Sequence, residues 1–214
     1  MNRANFEWIM EKVDYKKQLK HLYLPSKKQV TTVDVPSMYY LMVDGKGEPG
    51  SEQYQQAIEA LYSVAYTIKF MIKKGATAID YGVLPLEGLW WADDMDDFIN
   101  DNKHNWQWTM MSMQPELVDK KLVIEAISQV KQKKSLAAID LVRYESFSEG
   151  QCAQILHLGP FSEEGPTVAK VHDYIESAGF TLSGKHHEIY LSDIRRAAPE
   201  NWKTVIRQPY QTVG

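Results

Sequence analysis

Hydrophobic and polar positions recur along this chain with two periods, and each change of period marks an element. Side chains alternate between two faces at 30–35, 38–43, 108–115, 152–158, 185–193 and 202–209, the spacing of β-strands. Apolar residues instead recur every three or four positions from about Ser51 to Lys74, where Tyr54, Ile58, Leu61, Ala65, Ile68 and Ile72 form one stripe. Ser51 is the expected N-cap of that helix and Gly75 its stop. A second helix opens at Gly165-Pro166, carries Val168, Val171, Ile175 and Ala178 inward, and stops at Gly179. A third spans 115–134 with Val123, Ile127 and Val130 inward, and a short one is expected at 14–23.

The two halves repeat one order of elements: a strand, a glycine-bearing turn, a long helix, then strands. Both close on a tryptophan-led strand ending in Gln-Pro, Trp108 to Gln114-Pro115 and Trp202 to Gln208-Pro209, at identical spacing. So long a period signals duplication of a βαββ unit, since solenoid repeats run only about 20 to 50 residues. The expected fold class is α+β, one domain over 1–214 with an N-terminal helical extension at 1–29, a first repeat at 30–115, a linker helix at 116–135 and a second repeat at 136–214.

Composition narrows the function classes. At 214 residues and 44% hydrophobic, the chain buries a sizeable core. A net charge of −4 gives no general attraction to nucleic acid or anionic lipid, so neither is an expected partner. No apolar run reaches the roughly 18 residues of a membrane span, and the N-terminus lacks the apolar core of a secretory signal, so the expected location is cytoplasmic. The single cysteine, Cys152, forms no internal disulfide and reads as a buried, inert thiol on a strand.

Candidate chemistry concentrates in two places. Along 185–193, alternation sends His186, Glu188 and Tyr190 to one face and His187, Ile189 and Leu191 to the other. If the second face is buried, Glu188 and Tyr190 look into a space that holds a ligand. Four of the six tryptophans, Trp90, Trp91, Trp106 and Trp108, fall in one short region, and on a strand Trp90 and Trp91 face opposite sides. Beside them, 93–97 reads as a solvated acidic loop, since it lacks the spacing of a calcium loop. Gly45-Lys46-Gly47-Glu48-Pro49-Gly50 matches the G-x-G-x-x-G fingerprint literally, but Pro49 has no N–H to offer a pyrophosphate and Glu48 adds negative charge, so it reads as a connecting turn and no cofactor is expected. His186 and His187 lie on opposite strand faces with no His-Glu-x-x-His or Cys-x-x-Cys nearby, so no metal is expected either. His157 and His172 read as satisfied or exposed histidines, and no Gly-x-Ser-x-Gly nucleophile elbow is present.

Several segments, in order, resemble one family. Residues 145–161, Glu164-Gly165-Pro166-Thr167 and His187-Glu188-Ile189-Tyr190-Leu191-Ser192-Asp193 look like the GyrI-like small-molecule-binding family, related to effector-binding domains of multidrug-responsive transcription activators. Pro85-Leu86-Glu87-Gly88-Leu89-Trp90-Trp91 and the opening from Asp14-Tyr15-Lys16-Lys17 to Leu24-Pro25 resemble its stand-alone branch. The resemblance implies two βαββ repeats around a central, aromatic-lined ligand cleft with Glu188 at its floor. It also implies a small lipophilic or cationic ligand, and either passive drug binding or, as in one subfamily, hydrolytic opening of the cyclopropane ring of DNA-alkylating compounds. The expected catalytic pair is then Glu188 and Tyr190, and the expected cage draws on Tyr40, Trp90, Trp91, Trp108, Tyr144 and Tyr190, with His157 as a candidate second polar group.

Overall fold

The computed structural model describes residues 11–94 and 102–212, so most of the acidic stretch 93–97 lies outside the described residues. Its strands are β1 (Glu11–Val13), β2 (Thr31–Val35), β3 (Met38–Lys46), β4 (Ile79–Tyr81), β5 (Leu86–Trp91), β6 (Gln107–Gln114), β7 (Arg143–Phe147), β8 (Gly150–Leu158), β9 (Phe180–Leu182), β10 (His186–Tyr190) and β11 (Lys203–Thr212). Its α-helices are α1 (Tyr15–Gln18), α2 (Lys20–Tyr23), α3 (Glu52–Lys74), α4 (Lys120–Lys133) and α5 (Gly165–Ser177).

The fold is α+β, and its duplicated βαββ repeats interleave. The main sheet runs β2-β8-β11-β10-β5-β6-β3-β7, with β9 on the far end of β11 and every pairing antiparallel. The repeats meet where β5 pairs with β10, and they exchange their leading strands: β2 joins β8, and β7 joins β3. Only Pro36 and Ser37 separate β2 from β3, and only Ser148 and Glu149 separate β7 from β8. Such links span on the order of 10 Å, so the sheet must curl until its ends approach. The Ser37 and Ser146 hydroxyls meet there at 2.6 Å.

Curling gives the sheet an outer, helix-covered face and an inner one. On the outer face α3 packs over β3 and β6 and against α4, while α5 packs over β8 and β11. Ser51 caps α3 by accepting from the Tyr54 N–H, Lys73 and Lys74 close its last turn, and the buried Ala57, Ala60 and Ala65 let it approach the sheet closely. Asp119 caps α4 the same way, which delays that helix to Lys120 although its pattern starts earlier; Val123 and Val130 are buried and Ile127 is partly so. Neither helix packs over β5 and β10, which lie between them in the sheet, so a groove floored by these two strands is left between α3 and α5.

The repeated Trp-to-Gln-Pro spacing has a register consequence. Trp108 stands opposite Gly45, and the Trp202 carbonyl accepts from the Gly159 N–H at the equivalent place. The Trp108 ring lies over Gly45, so a Cβ there would fall inside the indole. Gly47 and Gly50 have φ of 102° and 89°, as a connecting turn requires. The first glycine of the apparent dinucleotide fingerprint therefore makes room for a tryptophan.

The inner face is closed by α2 through a buried charged network. His187 has Nδ1 3.0 Å from both Glu149 carboxylate oxygens and Nε2 3.1 Å from Glu87 Oε2. Both ring nitrogens face acceptors, which only the imidazolium satisfies. Arg207 donates to Glu149, Gln154 and the Leu22 carbonyl, Gln154 donates to the His21 carbonyl, and Tyr23 donates to Glu87 at 2.8 Å. Burial alone would lower the His187 pKa, but the Glu149 charge and the hydrogen bonds that the ring donates to both carboxylates outweigh it and raise it from 6.5 to about 8. Burial alone would raise the Glu149 pKa, and the charges of His187 and Arg207 instead hold it below the ordinary carboxylate value.

Two predictions follow from this packing. Because the folded His187 pKa lies above its unfolded value, its contribution is complete below pH 6.5 and is lost as pH rises through about 8. The urea midpoint should fall across that window while NMR of the His187 ring reports titration near its upper end; titration at or below 6.5 would contradict the clamp. Gly45→Ala should destabilise the protein by about 2 kcal/mol in urea unfolding, and wild-type stability in that variant would mean that the Trp108 ring moves aside freely.

Candidate functional site

Opposed residues of an antiparallel pair share a face. At the β5–β10 seam Glu188 stands opposite Gly88, His186 opposite Trp90 and Tyr190 opposite Leu86, and all face the groove between α3 and α5. Gly88 leaves room there for the Trp90–Tyr190 contact. A Cβ there would lie 2.7 Å from Trp90 Nε1 and 3.0 Å from the Tyr190 hydroxyl.

Into that space the seam places a fixed carboxylate. The Tyr190 hydroxyl donates to Glu188 Oε2 at 2.8 Å and accepts from Trp90 Nε1 at 3.0 Å, while His186 Nε2 lies 3.3 Å from Glu188 Oε1. Burial, then the Glu188 charge, pushes the Tyr190 pKa well above that of an ordinary phenol, so Tyr190 stays protonated and keeps donating. The same two causes push Tyr54 upward. The Glu188 side chain is 18% exposed, enough to reach a ligand entering from the mouth of the groove. Tyr54 and Trp106 lie against Trp90 on one side, with centroids 6.0 Å away in each case. On the other side Phe161 meets Tyr190 edge-on at 5.7 Å and Trp202 at 4.9 Å. The result is an aromatic-walled groove with one oriented carboxylate at its floor.

A second polar group lies deeper. The seam row continues from Tyr190 across Thr204 to His157, all on the groove face. The Glu164 carboxyl, from the turn before α5, joins it. Glu164 Oε1, Thr204 Oγ1 and His157 Nε2 are buried with no hydrogen-bond partner, in residues only 6%, 1% and 6% exposed. His157 is held by its other nitrogen, 2.9 Å from Thr167 Oγ1. Burial, then repulsion by Glu188, raises the Glu164 pKa from 4.5 to about 9, so at neutral pH Glu164 keeps its proton beside an oriented carboxylate.

The residues singled out in the sequence divide between the two faces. Glu188, Tyr190, Trp90 and His157 come together at the groove. Trp108 shares their face but is fully buried between Gly45 and Tyr54, where it backs Trp90 and does not line the groove. Trp91 points to the opposite side, with Lys185 Nζ 3.2 Å from its ring centroid. Tyr40 is also on the inner face, buried beside the charged network, because the register of β3 sets it there. Tyr144 shares the groove face but sits on the edge strand β7, strands away from Glu188, stacked on Tyr39 and donating to the Val118 carbonyl. His157 and His172, expected to be satisfied or exposed, each leave a buried Nε2 without a partner. Sequence reasoning passed over Glu164, Thr204, Tyr54 and Phe161. Glu164 does fall in the Glu164-Gly165-Pro166-Thr167 segment that resembles the family, but nothing local marks its side chain as part of the site. Among the described residues no group of three or more His, Cys, Asp or Glu is arranged to hold a metal ion, and no helix is long and apolar enough to cross a membrane.

Comparison with known proteins agrees with this architecture. No curated protein matches the chain. Two crystal structures from Listeria innocua share 40% identity with it, each over 93% of this chain and all of the other; one is described as an uncharacterized conserved protein, with a TM-score of 0.84, and one as a hydrolase, with a TM-score of 0.81. The EcmrR C-terminal domain shares the fold at 12% identity, with a TM-score of 0.57 over 86% of this chain and 98% of that domain. The family described as the GyrI-like small molecule binding domain matches residues 28–211. With the duplicated fold, the groove and that match in agreement, the chain belongs to the GyrI-like small-molecule-binding family.

Proposed function

We propose that this protein hydrolyses lipophilic, planar compounds, holding them in the groove between α3 and α5 and opening a strained cyclopropane ring with Glu188 as the base. The observation that carries this reading is the Glu188 carboxylate, fixed by Tyr190 and through it by Trp90 beneath aromatic walls. The hydrolase description of a 40% identical Listeria innocua protein supports it. Flat polycyclic rings stack on Tyr54 and Phe161, with the buried Trp90 behind them, which sets the reacting carbon over the floor. Glu188 takes a proton from water as the water oxygen bonds to the ring carbon. The ring C–C bond breaks and its electron pair passes into the conjugated carbonyl, which takes up a proton. Tyr190 orients the base and does not contact the substrate oxygen, because its hydroxyl is committed to Glu188. The proposed setting is the cytoplasm and the proposed role is disposal of DNA-alkylating xenobiotics.

A second reading rests on the same carboxylate. A negative charge beneath aromatic rings suits a lipophilic cation, and a protein that only sequesters such compounds needs no turnover.

Mass spectrometry of a spirocyclopropyl dienone incubated with wild type and Glu188→Gln, with tryptophan fluorescence in parallel, separates the two. Wild type should add water, and Glu188→Gln should lose at least about 100-fold in turnover while still quenching. Tyr190→Phe should lose about tenfold, the value of one hydrogen bond to a charged group. Quenching without product in wild type would leave only the binding reading, and undiminished turnover in Glu188→Gln would remove Glu188 as the base.

A further inference from the structure

We propose that Glu164, Thr204 and His157 form a polar seat for the hydrolytic water beside Glu188, with Glu164 as a second catalytic carboxyl; this rests on the hydrolase reading above. Three elements converge on the seat: the turn before α5 brings Glu164, β11 brings Thr204 and β8 brings His157. Glu164 lies within reach of Thr204 and Glu188, yet Glu164 Oε1, Thr204 Oγ1 and His157 Nε2 are each buried without a well-formed hydrogen bond, a cost that a bound polar molecule offsets. Glu164 is the N-cap of α5, yet it makes no capping hydrogen bond, whereas Ser51 and Asp119 both cap their helices. A helix N-terminus favours an anion. Here burial and the neighbouring Glu188 charge win instead, and the carboxyl stays neutral at ordinary pH. Titratable groups on the groove side of the surrounding elements include Glu188, Tyr190 and His186 on β10, His157 on β8 and Tyr54 on α3, with Glu163 and His172 before and along α5.

One proton on the carboxyl pair assigns the two roles. The Glu164 O–H donates to the water oxygen, and the water's second O–H goes to Thr204 Oγ1 or His157 Nε2. The water donates one O–H to Glu188 and turns its remaining lone pair toward the ring carbon. Glu188 accepts that proton as the O–C bond forms and returns it to solvent after the ring has opened, while Glu164 ends the cycle with the proton it began with.

The test combines a pH profile, stability and direct titration in wild type, Glu164→Gln and Glu164→Leu. Wild-type turnover of a spirocyclopropyl dienone should fall as pH rises through about 9, as Glu164 ionises. Glu164→Gln keeps a donor, so it should turn over at a reduced rate without that alkaline limb. Glu164→Leu should lose on the order of 100-fold, the cost of a misplaced nucleophile. A carboxyl that is hard to ionise when folded destabilises the protein increasingly as pH rises from 4.5 to about 9, so Glu164→Gln should raise the urea midpoint across that range and not below it. Infrared difference spectra should show a protonated carboxyl at pH 7 in wild type that is missing from both variants. Normal turnover in Glu164→Leu, or an ionised Glu164 at pH 7, would overturn the seat and leave Glu188 hydrolysis standing. Absence of product in wild type at every pH would instead overturn the hydrolase reading, and the catalytic use of the seat with it.

Discussion

The structure depends on one antiparallel pairing, β5 against β10, where two copies of the same unit meet edge to edge. Each copy alone would leave one edge of β5 or β10 unpaired, an exposed ladder of N–H and C=O groups. Joining them satisfies both edges and at the same time puts a groove between the two long helices, because each helix covers the outer strands of its own repeat. The site is therefore a by-product of how the halves close. Gly88 shows how tightly the two are tied: opposite Glu188, it has no side chain, and the Trp90–Tyr190 contact occupies the space that one would need.

Strand β10 serves both faces of this seam. Its odd-numbered side sends His187 and Ile189 inward, where His187 is held between two carboxylates and helps bind α2; its even-numbered side sends Glu188 and Tyr190 into the groove. Buried charges are costly unless paired, and the inner network sets the Glu87 and Glu149 carboxylates against the His187 and Arg207 cations. That network removes one degree of freedom from Glu188: the backbone that carries it is clamped from behind. A one-residue slip of β10 would send Glu188 inward and His187 into the groove, losing network and site together.

Much of this was readable in the residues themselves. Helix α3, its Ser51 cap and its stop at Gly75 follow from spacing alone, and strict alternation separated Trp90 from Trp91 and Glu188 from His187. The repeated Trp-to-Gln-Pro spacing exposed the duplication because both copies keep the same pairing against a glycine. What local pattern does not encode is which strand lies beside which. The exchange of β2 and β7 carries Tyr144 to a sheet edge, and the register of β3 turns Tyr40 inward, although both looked like cage aromatics. Glu164 was hidden for a related reason. Its neighbours Glu188 and Thr204 are distant in sequence, and an acid before Gly-Pro reads as a helix cap until the cap proves unused.

The two groove carboxyls show how one fold sets two similar groups to different tasks. Glu188 is met by the Tyr190 donor and reaches partly into the open groove, so its charge has both a partner and some solvent. Glu164 is more deeply buried, its Oε1 has no donor, and what the nearby Thr204 hydroxyl offers its charge is outweighed by burial and by a neighbouring charge of its own sign. Adding a negative charge beside Glu188 costs more than leaving a proton in place, so the pair holds a single charge and a single proton at neutral pH. A base and a donor then stand side by side, and the aromatic walls decide which molecules are presented to them.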